Sequence, residues 1–201
     1  MRKPMTRRRF LKFPTAAGQE PDYYKWIEKG IAHFSGLGIE AHGIPIIARD
    51  DAHRLAKKLH EFNFYYFSGG NPSYLLDTLK DTPAWETMYT QFTQGATLIG
   101  SSAGAMVLGK MAWTRVYEFM NRGVLAPWEK GLGAVEFGII PHYDTAQREF
   151  SREQWKTIHR LLPHGIPVIG IDENTAYIRL NGKWHVKGKG RVHKVQSPPG
   201  R

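Results

Sequence analysis

Residues 100 to 104 read Gly-Ser-Ser-Ala-Gly within the longer run ATLIGSSAGAMVLG. They fit G-x-S-x-G, in which the central serine, here Ser102, occupies a sharp strand-to-helix turn that exposes its hydroxyl for nucleophilic attack. Gly100 and Gly104 let the backbone pass close on either side of such a bend. Ala103 opens the helix, where a free amide and the helix dipole would favour a developing oxyanion. A small-residue turn that merely holds a phosphate can carry the same five letters, so Ser102 needs partners before it can be read as a nucleophile.

Three other stretches offer such partners. FSGGNPSYLL, residues 67 to 76, has a glycine pair able to aim backbone amides into a cleft, so the Gly70 N–H is a second oxyanion donor, with Asn71 beside it as a substrate-binding candidate. Its plainer reading is a turn that starts a helix. Nine histidines could serve as the base, and His142 stands out because it ends the apolar run FGIIPH, whereas His33, His53, His60, His159 and His164 lie in or beside helical segments. A carboxylate facing that imidazole would fix its tautomer and stabilise the imidazolium. Glu173 in VIGIDENTA is one candidate acid, with Asp144, Asp172 and Glu118 as rivals.

The composition narrows the chemistry. The 201 residues contain no cysteine, which removes thiol nucleophiles, disulfides, cysteine-based zinc sites and the cysteine chemistry of glutaminases. No metal or cofactor is expected. Lys and Arg number 28 against 18 Asp and Glu, a net charge of +10, with much of the excess in MRKPMTRRRFLK and KGKGRVHK. Such a balance steers acidic ligands, yet basic ends are commonly solvated faces, so nucleic acid is not the expected partner. TRRRFLK resembles a twin-arginine signal, but Pro14, Gly18 and Pro21 break the apolar stretch that must follow one. No run is long and apolar enough for a membrane span; a cytoplasmic location is expected.

The elements that must position these residues alternate in periodicity. Tyr23, Ile27, Ile31 and Phe34 recur at helical spacing up to GLG; Ala52, Leu55, Ala56 and Leu59 repeat the pattern after Asp50 and Asp51; Trp155, Ile158, Leu161 and Leu162 do so before Pro163. Between them, residues 8 to 13, GIPII at 43 to 47, NFYYFSGG at 63 to 70, ATLIG at 96 to 100, FGIIPH at 137 to 142 and PVIGID at 167 to 172 suit strands buried on both faces. The expected architecture is α/β, a mostly parallel sheet flanked by helices in three layers. After TAYIRL, the segments KWHV and RVHKV predict a small antiparallel ribbon. One domain over 1–201 is expected, with 1–7 and 196–201 as loose ends.

Taken together, FPTAAG, SGGNPSYLLDTL, IGSSAGAMVLG, GLGAVEFGIIPHYD, GIDENTA and GKWHVKGKGRVHKV resemble, in order, the S51 serine peptidases, which include aspartyl dipeptidase (peptidase E) and cyanophycinase. The resemblance implies a fold related to class I glutamine amidotransferases, a nucleophile at Ser102, a base at His142 and an oxyanion amide at Gly70. For the acid it favours Glu173, by similarity to cyanophycinase-like members, over Glu118, the nearest counterpart of the peptidase E arrangement. It also implies a short peptide substrate with an acidic residue near the scissile bond, for which Arg148, six residues after His142, is the candidate cation. Family members open with a further glycine-ended strand that this chain does not show ahead of its first matching segment. A catalytically inactive small-ligand-binding member of the same fold is the alternative, and a homodimer is the assembly entertained.

Overall fold

Strand β1 (Phe10–Phe13) is buried along its whole length, and its register explains how. The computed structural model describes residues 9–195; the expected loose ends and the first residue of the strand expected from residue 8 lie outside them. The chain parts into two compact units, one ending at Gly104 and the other starting at Ala105.

In the first unit, β1 lies between β2 (Ala41–Gly43) and β3 (Phe64–Phe67), and β3 pairs in turn with β4 (Thr97–Gly100), all parallel. Side chains alternate across the sheet. On one face Phe13 stacks on Phe67 at 5.1 Å, and Trp85 of α4 (Pro83–Thr93) meets Phe67 at 6.3 Å. On the other, Phe34 of α1 (Tyr24–Gly36) packs on Phe10 at 4.0 Å and Tyr66 at 5.7 Å. Helices therefore cover both faces, which is why the strands read as continuous apolar runs. Lys12 is the exception in β1: its Nζ donates to the Trp26 carbonyl at 2.5 Å, in space left by Gly30, where an added Cβ would come within 2.0 Å of the lysine chain.

Caps fix the remaining helices of this unit. Asp51 accepts from the amides of Ile47 and Ala48 at 3.2 and 3.1 Å, starting α2 (Arg49–Arg54), and Thr82 caps α4 with Pro83 in its first turn. The helix expected through Leu59 gives way after Arg54 to a 3₁₀ segment, Ala56–Glu61. GIPII shares only Gly43 with the strand: β2 lies mostly upstream, Ile44 N–H still reaches the Lys12 carbonyl at 3.4 Å, and Pro45 has no amide to continue the ladder.

In the second unit, β5 (Met111–Ala112) and β6 (Glu129–Lys130) form a short antiparallel pair, β7 (Gly138–Ile140) runs parallel to β8 (Val168–Ile171), and β11 (Val192–Val195) adds to β8 antiparallel. The core gathers Met106, Trp113, Phe119, Trp128, Ile140, Tyr143, Ile158, Leu162, Val168 and Val195. α8 (Arg152–Leu161) contributes Ile158 from a helix whose start carries a Ser151/Gln154 capping box. β9 (Thr175–Leu180) and β10 (Lys183–Gly188) form a hairpin turned by Asn181-Gly182, both at positive φ. The expected ribbon is therefore TAYIRL with KWHV, while RVHKV leaves it to become the edge of the β8 sheet. The fold is mostly parallel α/β with helices and added antiparallel strands toward the C-terminus.

Candidate active site

In the first unit the parallel register aligns Phe67 of β3 with Gly100 of β4, so Gly69 and Ser102, each two residues beyond, leave the carboxyl ends of adjacent strands together. Ser101 still follows the sheet: its amide donates to the Phe67 carbonyl at 3.0 Å and its hydroxyl shares a 2.9 Å hydrogen bond with Tyr66. Ser102 does not. It turns at φ 50°, and α5 (Ala103–Leu108) begins with the next residue, so the strand-turn-helix read from GSSAG is present. Gly104 lies so near the end of β3 that a Cβ would come within 2.1 Å of the Phe67 carbonyl oxygen, which explains the second glycine of the motif.

The glycine pair adjoins this bend. A Cβ at Gly69 would stand 3.1 Å from Ser102 Cβ and 3.5 Å from its Oγ, so the missing side chain at 69 leaves room at the hydroxyl. Gly70, at φ 136°, presses on the Ala16 carbonyl, where a Cβ would come within 2.5 Å. Asn71 is the N-cap of α3 (Pro72–Leu79), its Oδ1 accepting from Tyr74 N–H at 3.1 Å. Ala103 is fully buried.

In the second unit the same logic operates. Ile140 of β7 aligns with Gly170 of β8, which sends His142 and Glu173 out of neighbouring carboxyl ends. The His142 imidazole meets Glu173 through Nδ1 and Oε1 at 2.5 Å, each side chain 47% exposed. His142 itself stands at φ 53° as the N-cap of α7 (Tyr143–Glu149). With a carboxylate on Nδ1, the ring presents Nε2 as its basic nitrogen.

The rival acids have other partners. Asp172 accepts from Arg191 N–H at 2.9 Å and meets His193 Nε2 at 2.8 Å, tying β8 to β11. Glu118, in α6 (Val116–Arg122), forms a 3.7 Å ion pair with Arg115. Asp144 accepts the Glu173 N–H on Oδ1 at 2.9 Å, and that bond, ahead of the Arg148 charge, holds its carboxyl below the usual range. Arg148 projects from α7, 68% exposed, with Asp144 Oδ2 at 3.4 Å and Thr145 Oγ1 at 3.1 Å. Both of these contacts lie within its own helix. Two relations escaped the sequence: the space at Gly69 beside Ser102 and the Asp144 bond to Glu173. Neither has a local pattern, because each depends on which strands lie side by side. Among the described residues no group of three or more His, Asp or Glu side chains is arranged to hold a metal ion, and no helix is long and apolar enough to cross a membrane.

A serine in a left-handed strand-to-helix bend and a histidine–carboxylate pair at strand ends are the components of a serine hydrolase. The chain belongs to Peptidase family S51, whose family model matches residues 3–186. It is 33% identical to a peptidase from an acI-B1 Actinobacterium whose crystal structure superposes with a TM-score of 0.80, covering 95% of this chain and 78% of that one. A putative peptidase E from Listeria monocytogenes, 21% identical, shares the fold at a TM-score of 0.66 over 92% of this chain and 87% of its own. Among curated relatives, an uncharacterized peptidase of Listeria monocytogenes is 29% identical over 132 residues, 65% of this chain and 63% of that protein. The peptidase E of a Nostoc species is 26% identical over 170 residues, 82% of this chain and 66% of that protein. The matches thus span just under two thirds of these relatives' own lengths.

Proposed function

We propose that the protein is a serine peptidase that cleaves a short, aspartate-containing peptide through Ser102, His142 and Glu173. The observation that carries the reading is the 2.5 Å bond from Glu173 to His142 Nδ1, the arrangement a general base requires. In the proposed cycle His142 takes the Ser102 proton as Oγ attacks the scissile carbonyl carbon. The amides of Gly70 and Ala103 receive the oxyanion. Collapse breaks the C–N bond, with the proton on His142 passing to the leaving amine. Water then attacks the acyl carbon, His142 takes its proton, and return of that proton to Ser102 Oγ releases the acid.

Asn71 and Arg148 are assigned to the substrate. Asn71 keeps its amide nitrogen for that task while its oxygen caps α3. Arg148 is exposed and only loosely held by Asp144, so an incoming carboxylate can replace that partner. A bidentate charge-assisted contact of about 1.5–3 kcal/mol would favour Asp over Asn substrates by ~10-fold or more. The test combines an active-site serine reagent, with the labelled residue located by mass spectrometry, and turnover of Asp-X, β-aspartyl and neutral dipeptides. Labelling of Ser102 with preferential Asp cleavage supports the reading. Neither labelling nor turnover, with dipeptide binding retained, would assign a non-catalytic binding protein on the same fold.

A further inference from the structure

Glu173 sits on an exposed turn between β8 and β9, followed by Asn174 at φ 54°. Its bond to His142 is half open to water, and a half-exposed hydrogen bond by itself does little to hold two side chains in one geometry. What fixes the turn is its backbone. The Glu173 carbonyl accepts from Thr175 Oγ1 at 3.0 Å, and its amide donates to Asp144 Oδ1 at 2.9 Å. Asp144 lies two residues after His142, so the turn bearing the histidine grips the turn bearing the acid twice, once through the imidazole and once through the Asp144 carboxylate.

We infer that Asp144 is the positioning residue that holds Glu173 against His142, and that it acts as a hydrogen-bond acceptor for the Glu173 amide rather than as a charge facing the imidazolium. The inference rests on the reading of Glu173 as the partner of the base. Asp144 holds the Glu173 amide through Oδ1 and meets Arg148 through its other oxygen, Oδ2, at 3.4 Å, so Arg148 can turn to a substrate carboxylate without breaking the bond to Glu173. A catalytic group displaced by a fraction of an ångström costs rate without costing substrate affinity. The two roles separate chemically, because asparagine keeps the acceptor oxygen and removes the charge, whereas alanine removes both.

The experiment compares Asp144→Ala and Asp144→Asn in the full chain by two readouts: kcat and KM on the most rapidly cleaved dipeptide, and the low-field proton resonance of His142 Nδ1–H, assigned by its loss in His142→Gln. Asp144→Ala is expected to lower kcat by about 10- to 100-fold, the cost of one hydrogen bond to a charged acceptor, and to erase the low-field resonance. Asp144→Asn is expected to keep the resonance and to stay within about 3-fold of the parent in kcat, with KM held within the same range in both variants. Retention of the resonance in Asp144→Ala overturns the inference, and so does an Asp144→Asn as damaged as Asp144→Ala. The triad reading fails separately: if Glu173→Gln turns over like the parent while Asp144→Ala still erases the resonance, Asp144 positions Glu173 but Glu173 does not serve catalysis.

Discussion

Replacing Glu173 by glutamine keeps the size and shape of the side chain that meets His142 and removes only its charge, so the loss isolates what the carboxylate does for an imidazolium. With charge centres about 4 Å apart, the attraction is about 1 kcal/mol in bulk water and about 4 kcal/mol at an effective dielectric constant near 20. Both side chains are 47% exposed, so the site falls between these limits, at about 2–3 kcal/mol. Because that term is gained only as His142 becomes positive in the transition state, it should come off kcat as a drop of about 30- to 150-fold, with KM little changed. The assay is steady-state hydrolysis of the best dipeptide by Glu173→Gln, with Glu118→Gln as control, at low and moderate salt. The deficit should shrink as salt screens this half-open pair in the parent. A Glu173→Gln enzyme within about 3-fold of the parent would refute the assignment, and a larger loss in Glu118→Gln would hand the role to that residue.

Gly104→Ala should destabilise the protein by at least about 2 kcal/mol, because its Cβ would be driven against strand backbone rather than against a flexible side chain; thermal melting checks this, and an unchanged Tm would refute it. Lys12 has its pKa lowered from the ordinary 10.5, first by burial and then by the Lys29 charge, so the unfolded chain binds more protons between the folded value and 10.5 and stability rises with pH across that window. Lys12→Met should therefore melt higher than the parent near neutral pH and lose that advantage as pH climbs toward the ordinary lysine value; a constant difference in Tm would refute the linkage. Ser102→Gly and Ser102→Ala should both lack hydrolysis, yet glycine should be the more stable by about 0.5–1 kcal/mol, since relief of a left-handed conformation worth about 1–2 kcal/mol outweighs the added entropy of the unfolded chain. A less stable Ser102→Gly would show that the bend at 102 carries no such cost.

Much of this could be read in the sequence where the signal is local. Phe64 to Phe67 and Val168 to Ile171 declared themselves as strands because both faces are covered, and α1 and α8 because one face is. The apolar run GIPII shifts the expected strand downstream of β2, because beyond Gly43 its letters mark burial of Ile44 and Ile46 rather than pairing. The helix after Asp51 was right in its apolar face and wrong in its pitch, since Ala56–Glu61 tightens to 3₁₀ while Leu59 remains buried. Among the site residues, the bend at Ser102 has a five-letter pattern and was legible. Which of Glu173, Asp144 and Asp172 meets His142 was not, because all three lie within a few residues of strand ends. Only their partners separate them: Glu173 meets His142, whereas Asp144 takes the Glu173 N–H and Asp172 takes the Arg191 N–H and His193.

Backbone conformation marks the same residues independently. Five described non-glycine residues stand at positive φ: Asp81, Ser102, His142, Asn174 and Asn181. Asn and Asp enter that region readily because their short polar side chains bond locally, and histidine is more tolerant of it than most. Serine has least reason to be there, so its presence demands a surrounding that over-determines the turn, and the crowding of Gly104 against Phe67 supplies it. A strand that simply continued past Gly100 would go on sending side chains alternately to the two helix-covered faces of its sheet. A left-handed residue just past the last paired position turns the chain away from the sheet and leaves its own side chain at the strand end. Within each unit parallel pairing then brings two such ends side by side, Gly69 with Ser102 in the first and, separately, His142 with Glu173 in the second. The placement of these two candidate pairs therefore follows from parallel pairing plus two strained turns, and an antiparallel partner at either place would have carried the neighbouring strand end to the opposite edge.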